Sequence, residues 1–193
     1  MKSVDIENKS IIKDAYFGKL GDVSPHYDTT LEFIHEFIHN EPNKCFLLNE
    51  LSNLYVIIAT TNTMEYNDHA TKWNDILDDK QFNILKKNGE YIVGYMCINK
   101  FYNKNKDVHY INLINTRVKN YNFAKIMMNK YTSMHNISYV VPIEIIQSSC
   151  EYWKKIFFDM FDVKTLGELE QFIDIMEIDK KIINYKYLHN LLA

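Results

Sequence analysis

Residues 108–131 read VHYINLINTRVKNYNFAKIMMNKY, and this stretch decides which fold the sequence predicts. Its first part, from His109 to Ile114, is mainly aromatic and aliphatic and predicts a buried strand. A short polar loop follows. Apolar residues then recur at the spacing of one helix face, at Phe123, Ile126, Met127 and Tyr131. The stretch therefore predicts a strand that leads through a loop into an amphipathic helix.

The loop between this strand and this helix has the properties of an anion site. The first amide N–H groups of a helix have no partner within the helix, and together with the helix dipole they favour a bound anion. The only arginine of the chain, Arg117, lies in the loop, with Lys119 and Lys125 nearby. A guanidinium group can bind two phosphate oxygens at once, so we expect a phosphate group here. An ordinary solvated basic turn is the alternative.

The segment from Ile114 to Met128 resembles the acetyl-CoA motif of the GNAT superfamily of N-acetyltransferases. The strand end, the basic position, the two small-residue positions and the two leucine positions of that motif correspond, in order, to Ile114, Lys119, Asn122, Ala124, Met127 and Met128. Asn122 stands where the superfamily has a glycine. Asparagine is the residue other than glycine that best tolerates a left-handed backbone, so this replacement has a modest cost.

The resemblance implies that acetyl-CoA binds at this loop as a co-substrate. The residues that it implies for the contact are Ile114, Asn115, Thr116, Arg117, Lys119, Asn120, Tyr121, Asn122, Phe123, Ala124 and Lys125. The backbone amides of residues 117–125 would bind the pyrophosphate. An amide N–H at the end of the strand would polarise the thioester carbonyl group.

The residues before the loop predict an antiparallel meander. Asn-Gly at 88–89 is a strong hairpin signal between strands predicted at 82–85 and 91–98. A polar turn at 103–107 then leads into the strand at 109–114. A meander followed by a loop and a helix is also the element order of the superfamily core.

The resemblance continues after the helix, so that it covers about residues 82–178. A buried strand is predicted at 137–146, and a helix at 150–161. A last strand is predicted at 172–178 and a short terminal helix at 180–193.

Two residues are candidates for catalysis. The superfamily's tyrosine, the acid for the leaving thiolate, corresponds to Trp153, which has no transferable acidic proton, so Tyr152 would take this role. Glu144 is the candidate base, because desolvation in an apolar strand would raise its pKa towards neutrality. The alternatives are structural: Tyr152 and Trp153 as core aromatics, and Glu144 as a strand residue that faces water.

The first 81 residues match the superfamily only loosely. Residues 1–27 predict an arm or a first strand and loop, and 31–40 predict a helix that the following Glu-Pro pair ends. A second helix or an apolar turn is predicted at 43–54. A strand at 55–60 and a short helix at 68–77 follow.

The helix predicted at 31–40 contains His35-Glu36-Phe37-Ile38-His39, which is an H-E-x-x-H pattern. Two histidines at this spacing can bind zinc, with the glutamate as a general base. The predicted helix ends soon after the second histidine, however, and no third ligand follows at a familiar spacing. A zinc metallopeptidase is therefore a third hypothesis, and we assign no metal-binding residues.

Length, charge and cysteine usage narrow the functional classes. With 193 residues, 47% of them hydrophobic, we expect one α/β domain over residues 1–193. A net charge of −3 disfavours generic nucleic-acid binding. The sequence contains neither a secretory h-region nor an apolar run of transmembrane length, and its three separated cysteines suit a reducing compartment. We expect a cytoplasmic protein that binds neither nucleic acid nor membrane.

The sequence thus predicts an α/β fold with a mixed, mainly antiparallel sheet flanked by helices, similar to the acyl-CoA N-acyltransferases. The resemblance implies transfer of an acetyl or other acyl group from CoA to a primary amine, on a small molecule or a peptide, by direct attack on the thioester. A domain of the same fold that has lost catalysis and serves as a binding or structural module is the alternative.

Overall fold

The computed structural model describes residues 2–4, 12–20, 43–61, 86–87, 90–103, 106–116, 118, 121–137, 140–142, 149–162, 165, 167–168 and 171. The strands β1 to β7 are Lys2–Val4, Ile12–Lys19, Leu54–Thr61, Lys86–Lys87, Glu90–Asn103, Lys106–Thr116 and Val141–Pro142. The helices α1 to α3 are Lys44–Asn49, Phe123–His135 and Cys150–Phe161. A 3-10 turn, Leu51–Asn53, follows α1.

The strands form one mixed sheet with the order β1-β2-β3-β5-β6-β7, and β4 pairs with β5 off this path. The pairs β1–β2, β2–β3, β3–β5 and β4–β5 are antiparallel, and β6–β7 is parallel. The prediction of an α/β fold with a mixed sheet is confirmed. In the described part of the chain, no helix combines the length and hydropathy that crossing a membrane requires.

The chain divides into two compact units. The first unit comprises Met1–Ile98 and Leu113–Ser138, and the second comprises Asn99–Asn112 and Tyr139–Ala193. The end of β6 and all of α2 therefore belong to the first unit, whereas β7 and α3 belong to the second. The expectation of a single domain stays a prediction.

A β-bulge in β5 sets which side chains share a face of the sheet. Ile57 pairs with Gly94, but Ile58 pairs with Ile92, so Val93 is an extra residue between the two pairs. Strict alternation would place Ile92 and Tyr95 on opposite faces. Because of the bulge, both side chains join the same core.

This core lies on the α1 side of the sheet in the first unit. Its fully buried members come from β3, β5, α1 and the residue after β2, and they are Leu20, Leu47, Leu54, Val56, Ile58, Ile92, Tyr95 and Cys97. Leu51 and Leu113 are partly buried and pack against them. The alternating even-numbered residues of β3 thus cover the face on which α1 packs.

The opposite face of β3 packs against α2. Tyr55 stacks on Phe17 with ring centroids 5.8 Å apart and meets the edge of Tyr131 at 4.8 Å. The buried residues of α2 are Phe123, Ala124, Met127, Met128 and Tyr131. Ile126, predicted to be part of the apolar stripe, is only partly buried. The observed stripe follows the spacing i, i+3, i+4 and i+7 from residue 124, so position 126 falls beside it.

Several sequence predictions agree with the observed elements. The strand predicted at 55–60 is β3, which extends one residue further at each end. The helix predicted at 150–161 is α3, and its bounds are the predicted ones. A helix followed by a 3-10 turn forms within 43–54. The strand predicted at 109–114 extends further in both directions as β6.

The N-terminal arm and the hairpin differ in detail from the prediction. The predicted arm contains two antiparallel strands, β1 and β2. In the hairpin, Lys87 of β4 pairs with Glu90 of β5, on either side of the predicted turn at 88–89, so pairing reaches closer to the turn than expected.

The strand predicted at 137–146 is wrong at its start. Asn136 takes a left-handed conformation with φ 52°, and the N–H of Ile137 donates to the carbonyl oxygen of Thr132 at 3.0 Å. Ile137 is therefore part of the end of α2, where a left-handed residue turns the chain. The described strand here is β7.

Other predictions lie outside the described residues. These are the helices at 31–40, 68–77 and 180–193, the strands at 82–85 and 172–178, and the parts of the predicted 137–146 strand at 138–139 and 143–146.

Gly94 lies where β5 passes under α2. A Cβ atom at this position would be 3.0 Å from the carbonyl oxygen of Asn115, 3.1 Å from Cγ2 of Ile57 and 3.2 Å from Cε of Met127. One of these three contacts is a main-chain atom of β6, which cannot move away as a flexible side chain can. The missing side chain therefore allows α2, β3 and β6 to approach β5 closely.

We expect Gly94→Ala to lower the free energy of unfolding by about 1–3 kcal/mol, because an added methyl group in a filled core forces its neighbours apart. Urea denaturation measures this change. Gly167→Ala is the matched control, since a Cβ there meets nothing within 4 Å. Equal stability of the two variants would contradict the close packing at Gly94.

Candidate functional site

The candidate site lies where β6 ends at Thr116 and α2 begins at Phe123. Asn122, the residue before the helix, has φ 51° and ψ 30°, which is the left-handed region. The acetyl-CoA motif that this segment resembles has a glycine at this position. Asparagine here adopts the conformation that a glycine would favour. The backbone at Asn122 is thus compatible with the motif even though the glycine is missing.

The residues at the start of α2 do not oppose a bound anion. Asn122 makes no side-chain capping hydrogen bond, and the first turn contains no acidic residue. The carbonyl oxygen of Asn122 accepts the N–H of Ile126 at 3.0 Å, which is the usual first bond of the helix. A left-handed residue followed by helical ones orients successive N–H groups towards a common point, and such a concavity binds anions.

Apolar contacts hold the described residues next to the start of α2. Val118, Tyr121 and Phe123 are buried, and the rings of Tyr121 and Phe123 stack with centroids 5.4 Å apart. Ala124 is only 9% exposed, so its small side chain lies against the rest of the first unit. The buried side chains of Tyr121, Phe123 and Ala124 therefore hold the start of α2 in place, and the backbone of the same residues is part of the predicted anion site.

The structure describes only part of the predicted basic set. Lys125, in the first turn of α2, is partly exposed. Arg117, Lys119 and Asn120 lie outside the described residues. Their contribution to phosphate binding stays a prediction.

The end of β6 contains a polar cluster that the sequence did not predict. Nδ2 of Asn115 donates to the hydroxyl oxygen of Tyr95 at 3.2 Å, and Nδ2 of Asn43 donates to the same oxygen at 3.4 Å. Ile114, Asn115 and Thr116 are partly buried, as expected for residues at a strand end. A tyrosine within the apolar run of β5 was the available signal, since a buried hydroxyl group requires a partner.

The two candidate catalytic residues remain predictions. Glu144 lies outside the described residues. Tyr152 lies on α3 of the second unit and is 38% exposed, whereas its neighbour Trp153 is 4% exposed and belongs to the core. Partial burial raises the pKa of Tyr152 to about 12, which makes its hydroxyl group a weaker acid than that of an exposed tyrosine.

Buried titratable groups of the first unit are held neutral. Burial, together with the nearby carboxylate of Glu50, raises the pKa of Cys97 to about 12. Burial and the neighbouring Tyr55 raise the pKa of Tyr131. The hydroxyl group of Tyr55 also forms a hydrogen bond with Nε2 of His135 at 3.0 Å. Cys97 is therefore a packed thiol, unsuited to nucleophilic chemistry at neutral pH.

The metallopeptidase hypothesis concerns His35, Glu36 and His39, which lie outside the described residues. Among the residues that the structure does describe, no three His, Cys, Asp or Glu side chains are grouped so that they could hold a metal ion. The zinc hypothesis stays a prediction.

Comparison with protein-family models and with curated proteins finds no match for the chain.

We expect the left-handed backbone at Asn122 to determine which residues are tolerated there. Asn122→Gly should leave the free energy of unfolding nearly unchanged, whereas Asn122→Val should lower it by about 1–2 kcal/mol, because a β-branched residue is strained at positive φ. Urea denaturation gives both values. Asn129→Val, at an exposed position within α2, is the control. A loss at residue 129 as large as that at residue 122 would show that helix propensity, rather than the left-handed backbone, is responsible.

We also expect a pH dependence that arises from Cys97. Its thiol keeps its proton in the folded state up to about pH 12, but loses it near pH 9.0 at its ordinary pKa when unfolded. The contribution of the protonated Cys97 thiol to the stability of the folded state is therefore fully present below pH 9 and is lost as the pH rises towards 12. Between pH 9 and 10, Cys97→Ala should reduce the fall in stability, by at most about 1.4 kcal/mol per pH unit.

Urea denaturation at several pH values tests this expectation. Cys45→Ala is the matched control, because that cysteine is exposed. An unchanged pH dependence in Cys97→Ala would mean that other groups, such as Tyr131 and Tyr152, account for the alkaline loss.

Proposed function

We propose that this chain is an N-acyltransferase that transfers an acetyl or other acyl group from CoA to a primary amine. The observation that carries the proposal is the left-handed Asn122 at the start of α2, immediately after the loop that follows β6. This left-handed backbone favours main-chain N–H groups that bind an anion, in the segment that resembles an acetyl-CoA motif.

The order of the elements supports the same proposal. Strands β5 and β6 are followed by the loop, α2, β7 and α3, as in the core that the sequence resembles. Val141 of β7 pairs with Tyr110 of β6 in parallel, so α2 is the crossover helix of a strand–helix–strand unit. In units of this kind an anionic ligand binds where the first strand leads into the helix.

The first turn of α2, which contains no acidic side chain, suits a pyrophosphate group, which needs close approach to the main chain. Backbone amides of the loop would hold it, with Arg117, Lys119 and Lys125 adding positive charge. An amide N–H at the end of β6, near Ile114 and Asn115, would stabilise the negative charge that develops on the thioester oxygen.

The reaction needs one new bond and two proton transfers. The amine nitrogen bonds to the carbonyl carbon, and the carbon–sulfur bond breaks. Of the two protons that the substrate ammonium group loses, one goes to solvent through a base and the other replaces the proton that the acid gives to the thiolate. Glu144 is the proposed base and Tyr152 the proposed acid.

One observation favours a second function. Trp153 corresponds to the tyrosine of the resembling motif, and it is 4% exposed, as a core aromatic would be. A module that binds acyl-CoA and has lost catalysis would retain the loop without the acid. Binding of acetyl-CoA with no transfer to any amine, in wild type and in Tyr152→Phe alike, would identify this second function.

We expect Arg117→Ala to weaken acetyl-CoA binding by roughly 1.5–3 kcal/mol, the range for hydrogen bonds to charged groups, with little change in the melting temperature without ligand. Ala124→Leu should weaken binding further, because a larger side chain at this buried position would displace the main chain of the first turn of α2. Isothermal titration calorimetry with acetyl-CoA measures both effects.

Lys100→Ala, which removes a positive charge from an exposed position in β5, is the matched control and should bind as wild type does. Because Ala124 is buried, the melting temperature of Ala124→Leu must also be measured. Absence of acetyl-CoA binding to the wild type would overturn the proposed function. Equal binding by wild type, Arg117→Ala and a folded Ala124→Leu would overturn the proposed location.

A further inference from the structure

The polar cluster of Asn43, Tyr95 and Asn115 lies within the first unit, beside its hydrophobic core. The ring of Tyr95 is 0% exposed and packs among aliphatic side chains that include Leu47 of α1. Two carboxamide groups nevertheless donate to its hydroxyl oxygen, from the residue before α1 and from the end of β6. Two long-range hydrogen bonds to one buried hydroxyl group hold that group and its donors in a fixed geometry.

The carboxamide of Asn115 donates a hydrogen bond through its nitrogen within the protein. In the described part of the chain its one side-chain hydrogen bond is the one from Nδ2 to Tyr95. Asn115 is partly buried, and its described side-chain hydrogen bond uses Nδ2, so Oδ1 can accept a hydrogen bond from a ligand.

The side chain of Asn115 lies on the opposite side of the sheet from α2. Gly94, whose missing Cβ leaves room for Met127 of α2, faces one side. Tyr95, the next residue, faces the other side and packs with α1. Because Asn115 donates to Tyr95, its carboxamide is on the α1 side. The proposed anion site, by contrast, is at the start of α2.

We propose that Asn115 binds the acceptor amine of the acyl transfer through its carboxamide oxygen, and that Tyr95 is the positioning residue that orients this carboxamide. The inference rests on the proposed function, which places the thioester carbonyl group at the end of β6. An amine that attacks this carbonyl group must lie within a few ångströms of it, and an N–H group there meets the oxygen of Asn115. A neutral acceptor can orient the nitrogen without a salt bridge that would hold it in the unreactive ammonium form.

The carboxylate of Glu50 adds a second feature to the α1 side. It follows α1, accepts a hydrogen bond from Nδ2 of Asn53 at 3.0 Å, and acts electrostatically on Cys97, which belongs to the same core as Tyr95. A negative charge on this side of the sheet favours the approach of a cationic amine from solvent. The acceptor class that fits is therefore a primary amine that is protonated in solution.

The experiment uses the full chain with acetyl-CoA and four primary amines: spermidine, tryptamine, glucosamine and a tetrapeptide with an unblocked N-terminus. Release of the CoA thiol gives kcat and the KM of each amine, and calorimetry gives the Kd of acetyl-CoA. We expect Asn115→Ala to raise the KM of the accepted amine about tenfold, the effect of one hydrogen bond, with the Kd of acetyl-CoA within about twofold. Asn115→Asp keeps an accepting oxygen and should keep the KM of the amine closer to wild type, but it should lower kcat, because a carboxylate would hold the amine in its ammonium form.

Tyr95→Phe removes only the hydroxyl group and should raise the KM of the same amine in the same way, by a smaller factor. Tyr131→Phe removes another buried hydroxyl group, and Asn129→Ala removes a carboxamide from the surface of α2. These two controls should leave the KM of the amine unchanged. Thermal unfolding shows whether each variant is folded.

Each outcome decides a different point. If Asn115→Ala and Tyr95→Phe are folded and keep the wild-type KM of the amine, or if they weaken acetyl-CoA binding as much as amine binding, the cluster has a structural role and the inference is wrong. The inference is also overturned if wild type binds acetyl-CoA but acetylates none of the four amines. Failure of wild type to bind acetyl-CoA overturns the proposed function, and with it the inference.

Discussion

The close approach of α2 to the sheet at Gly94 is the constraint on which the rest of the first unit depends. The absence of a side chain there allows Met127 to reach the sheet between Ile57 of β3 and the main chain of β6 at Asn115. This contact sets the height of α2 above β5 and β6. The position of the first turn of α2 follows from it. The proposed anion site is thus located by packing.

The same arrangement explains how a site for an anion can form in a chain with a small net negative charge. The main chain contributes to anion binding through the left-handed Asn122 and through the first turn of α2, which has no side-chain cap. Stacked Tyr121 and Phe123 hold this backbone in place before any ligand arrives. A preorganised main chain needs little further ordering when an anion binds, so few positive side chains are required.

Local patterns predicted much of the fold, whereas long-range register determined what they missed. The bounds of α3 could be predicted because its apolar residues and the serines before it act within a single helix. Asn122 could be predicted because the backbone preference of asparagine is local. The cluster around Tyr95 could not be predicted. Strict alternation would place Tyr95 and Ile92 on opposite faces of the sheet, and only the extra residue Val93 brings them to the same face. The start of the strand predicted at 137–146 was wrong because Ile137 still completes the end of α2.

The bulge at Val93 also determines where β5 can change its length. Removal of Val93 would leave Ile92 opposite Ile58 and Gly94 opposite Ile57, since Val93 is the residue without a partner in this register. A deletion anywhere from Tyr95 to Ile98 would instead exchange the two faces of the strand beyond it, because side chains alternate. Chains with this fold can therefore gain or lose one residue at the bulge, while the segment that follows must keep its length.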